Sequence, residues 1–274
     1  MKKLIKRLLL KIFQEHERFV QKNEIKKWNL SDVYLVSYPK SGNTFVSLLL
    51  ANILKQLKGT PCRVDYFSLH EFIPDIQVNP DRITELDPPR IIKTHEHFEE
   101  WNKRISTLGK GFRFPRVIYI VRDGREVIIS YYYHVKNIHG YKGSFEDFIV
   151  DKNAKLREWG DHVKGWLIDN NVLDQRNILI VKYKELRSDT FSSLKKILEF
   201  IGIEVDEEIV LRAIKDSEIK RMQSIEKQYG APEKYANPKF TFARKGLSGD
   251  IEEEFKVLVN RFYDNVEVLE FLGY

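Results

Sequence analysis

The chain holds 274 residues, 42% of them hydrophobic and 31% charged, a balance that excludes a disordered polymer and suits one large folded domain. Lysine and arginine exceed aspartate and glutamate by 46 to 40, a formal charge of +6; that excess suits an anionic ligand but is too small to single out nucleic acid, which is not expected as a partner. The single cysteine, Cys62, excludes an intramolecular disulfide and a thiolate metal cluster and fits a reducing, cytoplasmic setting, while no apolar run approaches the roughly 18–20 residues of a membrane span.

Residues 1–24 read as an N-terminal amphipathic helix. Leu4, Ile5, Leu8, Leu9, Ile12 and Phe13 form one stripe, with Lys2, Lys3, Lys6, Arg7 and Lys11 largely off it. Lys11 cuts the apolar run short of the roughly 7–15 residues of a secretory signal. Two readings stay open for this helix: docking on the domain or a second subunit, or peripheral contact of residues 2–13 with an anionic membrane surface.

The pattern then changes. Val33–Ser37 is a short β-rich run, followed by the loop Lys40–Asn43 and a helical stretch from Thr44 to Leu57. Arg90–Lys93 reads as a second strand. Arg116–Val121 is a third, almost wholly apolar, as expected of a parallel strand buried on both faces. It opens a helix at about Arg125–Tyr133. Asn177–Val181 is a fourth strand, with helical segments near 156–170 and 189–201. Strands alternating with helices predict an α/β fold: one domain over residues 25–274, a central parallel sheet flanked by helices. Residues 230–246, with Gly230, Pro232, Pro238 and Gly246, read as loop.

The first loop has the make-up of a phosphate cradle. At the start of a helix the main-chain N–H groups lack intrahelical partners and the helix dipole adds partial positive charge. Gly42 allows close approach of a ligand, Ser41, Asn43 and Thr44 add donors, and Lys40 adds a full charge. The order differs from that of a nucleoside-triphosphate P-loop, because the lysine precedes the glycine and no hydroxyl is placed to hold magnesium. An ordinary strand-to-helix turn would look the same. At the end of the third strand, Arg122 and Ser130 could clamp a second phosphate, or Arg122 could simply pair with a nearby carboxylate.

Together these segments make the chain recognisable. Tyr38-Pro-Lys-Ser-Gly-Asn-Thr-Phe45 resembles the 5′-phosphosulfate loop of the cytosolic-type sulfotransferases that use 3′-phosphoadenosine 5′-phosphosulfate (PAPS). Ile120-Val-Arg-Asp-Gly-Arg-Glu-Val-Ile-Ile-Ser-Tyr-Tyr132 resembles their 3′-phosphate motif, and Arg244-Lys-Gly-Leu-Ser-Gly-Asp250 their C-terminal Arg-Lys-Gly-x-x-Gly motif. Arg90-Ile-Ile-Lys-Thr-His95 resembles their catalytic strand. Lys182-Tyr-Lys-Glu-Leu186 resembles the segment near the adenine, and Trp159-Gly-Asp-His-Val-Lys-Gly-Trp166 is also similar to the family.

The resemblance implies a sulfotransferase with a P-loop-like 5′-phosphosulfate loop, using PAPS as co-substrate and releasing adenosine 3′,5′-bisphosphate (PAP). Lys40, Ser41, Gly42, Asn43 and Thr44 would hold the 5′-phosphate. Arg122, Ser130, Arg244, Lys245 and Gly246 would hold the 3′-phosphate. Phe45 would stack on adenine, with Ile219 and Met222 on the other face and Tyr183 and Ser217 touching the base. His95 would be the general base, and Lys40 and Lys93 would stabilise charge on the leaving oxygen. His97 competes as base if the strand runs on, since alternate residues share a face. The tyrosines 131–133 read as helix packing. Sulfuryl transfer needs no metal in this scheme, because the group carries less charge than a terminal phosphoryl.

The acceptor hydroxyl could belong to a small alcohol, a phenol, a glycan or a natural product, with residues 60–90, 134–155 and 225–243 shaping its pocket. Two departures from the family pattern stand out. Ile251 replaces a tryptophan after Gly-Asp. The positions of the family's dimer motif read Glu252, Lys256, Val257 and Arg261 with the end charges swapped, so a homodimer does not follow. A nucleotide kinase and a non-catalytic nucleotide-binding or membrane-associated protein are the rival readings.

Overall fold

The computed structural model describes residues 29, 31–106, 115–150, 155–170, 176–230, 253–262 and 266–274. The expected N-terminal helix, Arg244, Lys245, Gly246, Ile251 and Glu252 lie outside the described residues.

Four strands carry the architecture: β1 Val33–Ser37, β2 Ile91–Thr94, β3 Arg116–Val121 and β4 Ile178–Lys182. They lie in the order β2-β1-β3-β4, and every neighbouring pair is parallel. The intervening helices are α1 Asn43–Leu57, α2 Arg82–Glu85, α3 Phe98–Ser106, α4 Gly124–Asn137, α5 Phe145–Val150 and α6 Lys155–Leu167. After β4 come α7 Tyr183–Ser188, α8 Thr190–Ile201, α9 Glu207–Asp216 and α10 Ile219–Tyr229. Helices α11 Glu253–Phe262 and α12 Val266–Leu272 complete the described chain. None of these helices is long and apolar enough to cross a membrane.

Alternation along the strands fills both faces of the sheet. Val33 and Leu35 of β1, with Ile118 and Ile120 of β3, belong to a core with α1, α8, α9 and α10. Tyr34, Val36, Val117, Tyr119 and Val121 face the opposite core, where Trp101 of α3 and Trp159 and Trp166 of α6 are fully buried. The apolar run of β3 is thus buried on both faces, as its composition predicts; each such side chain contributes roughly 1.5–3 kcal/mol by leaving water. A third, smaller cluster joins Ile128, Ile129 and Tyr132 of α4 to Phe145 and Ile149 of α5 and Val259 of α11. Tyr132 therefore serves helix packing, as expected.

The N-terminal ends of β1 and β2 are clamped by a buried ion pair. Arg90 Nε and Nη2 reach the two oxygens of Asp32 at 3.0 and 2.6 Å, and Arg90 Nη1 donates to Ile83 O at 2.6 Å. With its donors satisfied, this pair is a strut at the end of the sheet remote from the loop after β1. The strand order reverses direction at β1, with β2 on one side and β3 on the other. In open parallel sheets, ligands bind in the crevice beyond the strand C-termini at that switch point. The loop Tyr38–Gly42 and Arg122 stand there.

Candidate active site

The loop after β1 is built from strained backbone. Lys40 has φ 71° and Gly42 φ 106°, both left-handed. Only glycine adopts that region freely, so Lys40 stores roughly 1–2 kcal/mol of strain. Left-handed residues in a turn direct N–H groups toward a common side, a geometry from which anion concavities are made. Among the described residues, the main-chain N–H groups of Asn43 and Thr44 make no hydrogen bond, whereas those of Phe45 and Val46 return to Gly42 O. Ser41 is buried, and its hydroxyl has no partner. Two N–H donors and an orphaned hydroxyl at a helix start fit a phosphate or sulfate group. Gly42 is required for space as well as for φ. A Cβ there would lie 2.3 Å from Cδ2 of Tyr183, whose ring covers the loop.

Asn43 departs from the expectation of a side-chain phosphate ligand. Its Nδ2 donates to Leu35 O and Ser37 Oγ, both at 3.2 Å, and its Oδ1 accepts from Ser47 at 3.1 Å. The amide braces the end of β1 against α1, leaving the main-chain N–H for a ligand. Ser217 is also tied into the fold. Its hydroxyl donates to Ala213 O at 2.8 Å and accepts from Asn52 at 3.1 Å. Asn52 lies in the third turn of α1, roughly 13 Å along the axis from its first residue. The hydroxyl is engaged in fastening α9 to α1. Met222 is buried in the first core and Ile219 packs partly buried against it.

His95 follows β2 directly, and the register that pairs Val36 with Thr94 sets it beside Ser37. Its Nδ1 lies 2.6 Å from Ser37 O and 3.3 Å from Ser37 Oγ. A carbonyl only accepts, so Nδ1 carries the proton and Nε2 is left with its lone pair. Burial and the cation of Lys93 hold the His95 pKa down to about 4, so the ring is neutral at pH 7. Lys93 is itself ion-paired with Asp75 at 2.9 Å. Asp75 belongs to a short segment bridged to β2, where Lys93 N donates to Pro74 O and Ile76 N to Lys93 O. β2 ends at Thr94, so strand alternation does not carry His97 onto the His95 face. The His97 ring packs on buried His162 at 5.1 Å.

At the end of β3, Arg122 Nε donates to Glu126 at 2.9 Å and Nη1 to Lys40 O at 3.3 Å. Its guanidinium also stands over the Tyr183 ring at 4.8 Å. The carboxylate partner anticipated for Arg122 is therefore Glu126, while Asp123 pairs with Arg125. Ser130, two turns along α4, is half-buried. Phe45 is half-buried too, with the Arg187 guanidinium 4.7 Å above its ring. The structure thus joins Lys40, Ser41, Gly42, Thr44, Arg122 and Tyr183 around one loop, with His95 and Lys93 on the adjoining strand. Ser37, Asp75 and Arg187 were not foreseen. Nothing in their local sequence marks them, because each acts through strand register or a tertiary contact.

Three histidines are held neutral inside the fold: His95 and His134 at about 4, and His162 at about 3, with burial the largest cause in each. Unfolded histidines bind protons below about 6.5, so the unfolded chain takes up more protons between that pH and about 4. Stability is then complete above pH 6.5 and falls as the pH drops through this window. The loss is on the order of 3 kcal/mol each for His95 and His162, and smaller for the more exposed His134. Urea unfolding at pH 7, 5.5 and 4.5 measures it. A midpoint that stays flat from pH 7 to 5 would contradict the burial assigned to these rings.

The profile of the family described as "Sulfotransferase domain" matches residues 30–268. Sulfotransferase 1E1 of Cavia porcellus is 29% identical over 253 residues, which span 85% of this chain and 80% of that protein. Sulfotransferase 2A2 of Rattus norvegicus is 26% identical over 264 residues, 90% of this chain and 87% of that protein. Among solved structures, retinol dehydratase in complex with retinol and PAP superposes with a TM-score of 0.62 at 18% identity, over 88% of this chain and 82% of that one. Mouse sulfotransferase SULT7A1 complexed with PAP gives 0.59 at 22% identity, over 89% and 86%. At these identities the two structures speak for the fold.

Proposed function

The chain belongs to the sulfotransferase family, and on that premise we propose that it transfers a sulfuryl group from PAPS to an acceptor hydroxyl by in-line displacement, with His95 as general base. The observation that carries this reading is the His95 Nδ1–Ser37 O hydrogen bond, which leaves Nε2 bare beside a loop with unpartnered N–H donors and an orphaned serine hydroxyl. PAP in the two solved neighbours supports the choice of donor.

Bound PAPS supplies the sulfuryl group and a bisphosphate leaving group. As the acceptor oxygen bonds to sulfur, the bond from sulfur to the bridging oxygen breaks and His95 Nε2 takes the hydroxyl proton. Asn43 N–H, Thr44 N–H, Ser41 Oγ and Lys40 hold the 5′-phosphate, with Gly42 giving the backbone its close approach. Arg122 and Ser130 hold the 3′-phosphate, joined by Arg244, Lys245 and Gly246 on the strength of the sequence motif. Phe45 stacks on the adenine with Ile219 and Met222 on its other face, and Tyr183 and Ser217 touch the base. Lys40 and Lys93 stabilise negative charge on the departing oxygen, and Asp75 keeps Lys93 in place. The acceptor is a small alcohol, a phenol, a glycan or a natural product.

Calorimetric titration with PAP, and transfer of radiolabelled sulfate from PAPS to a panel of hydroxyl compounds, test this. Binding of PAP with label on a hydroxyl is expected. Magnesium-ATP binding in place of PAP would favour a kinase. Tight PAP binding with no turnover, even to water, would favour a non-catalytic nucleotide-binding protein.

A further inference from the structure

The ammonium of Lys40 lies 3.4 Å from Nδ1 of His134. An ammonium only donates, so at this contact Nδ1 is the bare nitrogen and the ring proton belongs on Nε2. His134 stands in the last turn of α4, one turn beyond Ser130 on the same helix face. Its other neighbours are the rings of His139 at 5.3 Å and Tyr131 at 6.1 Å. Burial, Lys40 and His139 keep it neutral near pH 7 and therefore able to accept. The backbone from which Lys40 projects is held as well, by its left-handed φ and by Arg122 on its carbonyl.

We propose that His134 is a positioning residue for Lys40: its neutral Nδ1 holds the ammonium beside the phosphate loop before nucleotide binds, and yields it to the leaving oxygen once nucleotide is present. This rests on the sulfuryl-transfer reading above. Fixing a lysine side chain costs about 1.5–2 kcal/mol of rotamer freedom. Ordering it in the free protein removes part of that cost from the transfer step, in which the ammonium must meet the leaving oxygen. An imidazole suits the task better than a carboxylate would. A carboxylate would grip the ammonium more strongly and repel the incoming phosphates, whereas a neutral ring accepts one hydrogen bond and adds no negative charge.

Two measurements on the full chain test this, with PAP and PAPS as probes. Nitrogen NMR of the histidine rings without nucleotide should find His134 protonated at Nε2 and bare at Nδ1; Lys40→Met should raise its titration toward the ordinary histidine range. In kinetics, His134→Ala should lower release of PAP from PAPS about 3- to 30-fold, with PAP affinity changed less than about 3-fold. His134→Asn, whose side-chain oxygen can take the place of Nδ1, should recover most of that loss, which a merely structural role would not predict. A wild-type His134 protonated at Nδ1, or alanine and asparagine variants that turn over alike, would overturn the proposal. A wild-type protein that binds no PAP would instead sink the donor reading, and the tautomer would still decide the Lys40–His134 contact.

Discussion

His95→Asn is expected to lower turnover of PAPS by roughly 10²–10⁴-fold while leaving PAP affinity within about 3-fold of wild type. Asparagine is the informative replacement. Its amide N–H can occupy the position of Nδ1 and still donate to Ser37 O, which His95 meets at 2.6 Å. The strand end then keeps its geometry, and what is lost is the lone pair of Nε2. The loop and the end of β3, where the proposed reading seats the phosphates, are untouched, so the nucleotide should still bind. The matching control is His97→Asn, where only a ring contact with His162 is removed; activity should stay within a few-fold. Turnover of His95→Asn within about 10-fold of wild type would show that the proton goes elsewhere. A parallel loss of PAP binding would show that His95 serves the cradle.

Gly42→Ala should act on the other half of the site. A left-handed φ costs a non-glycine residue roughly 1–2 kcal/mol, and here φ is 106°. The added methyl would also lie 2.3 Å from the ring of Tyr183, which is buried and cannot step aside freely. Overpacking of this kind costs about 1–3 kcal/mol. Urea unfolding should therefore show about 2–5 kcal/mol of destabilisation. An escape that relieves the clash by shifting the loop moves the donors at residues 41–44. PAP affinity should fall by about 100-fold or more, since misplacing positioned groups by about 1 Å has effects of that order. Tyr183→Ala alone leaves a cavity, so the comparison is a double-mutant cycle: on the Tyr183→Ala background the clash is gone but the φ cost remains, and Gly42→Ala should cost less stability than it does in the wild-type protein. No cost on that background would mean that the backbone conformation is unstrained; an undiminished cost would mean that the ring contact is irrelevant.

The sheet was legible because parallel strands buried on both faces read as unbroken apolar runs, and Arg116–Val121 is such a run. The loop after β1 was legible as a strand-to-helix turn; its residue types alone left a phosphate cradle and an ordinary turn equally open. Strand ends moved by at most one residue, helix ends by as many as four. Much of what surrounds the site was not legible. Ser37 becomes the partner of His95 only through the β1–β2 register, which no local pattern states. Asp75 reaches Lys93 from a segment with no regular periodicity. Asn43 was read as a ligand because its residue type can donate; the tight junction of β1 and α1 turns its amide inward instead. The short helices α3, α5 and α7 and the later pair α9 and α10 were passed over, their amphipathic faces being brief or set among charged residues. The residues between 60 and 90 include the short helix α2 rather than loop alone, and α4 runs on through residue 137.

The convergence of strand ends on one loop has a consequence for biosynthesis. The cradle comes from β1, the base from the end of β2, the guanidinium from the end of β3, and the ring that covers Gly42 from the residue after β4. These pieces are far apart in the chain, so closing the loops between them is a late and entropically costly event. A ribosome-bound chain that has emerged only through β3 has an open sheet edge and no cover over the loop. On the reading proposed above, a nucleotide would therefore meet the complete concavity only after Tyr183 has been made and β4 has docked.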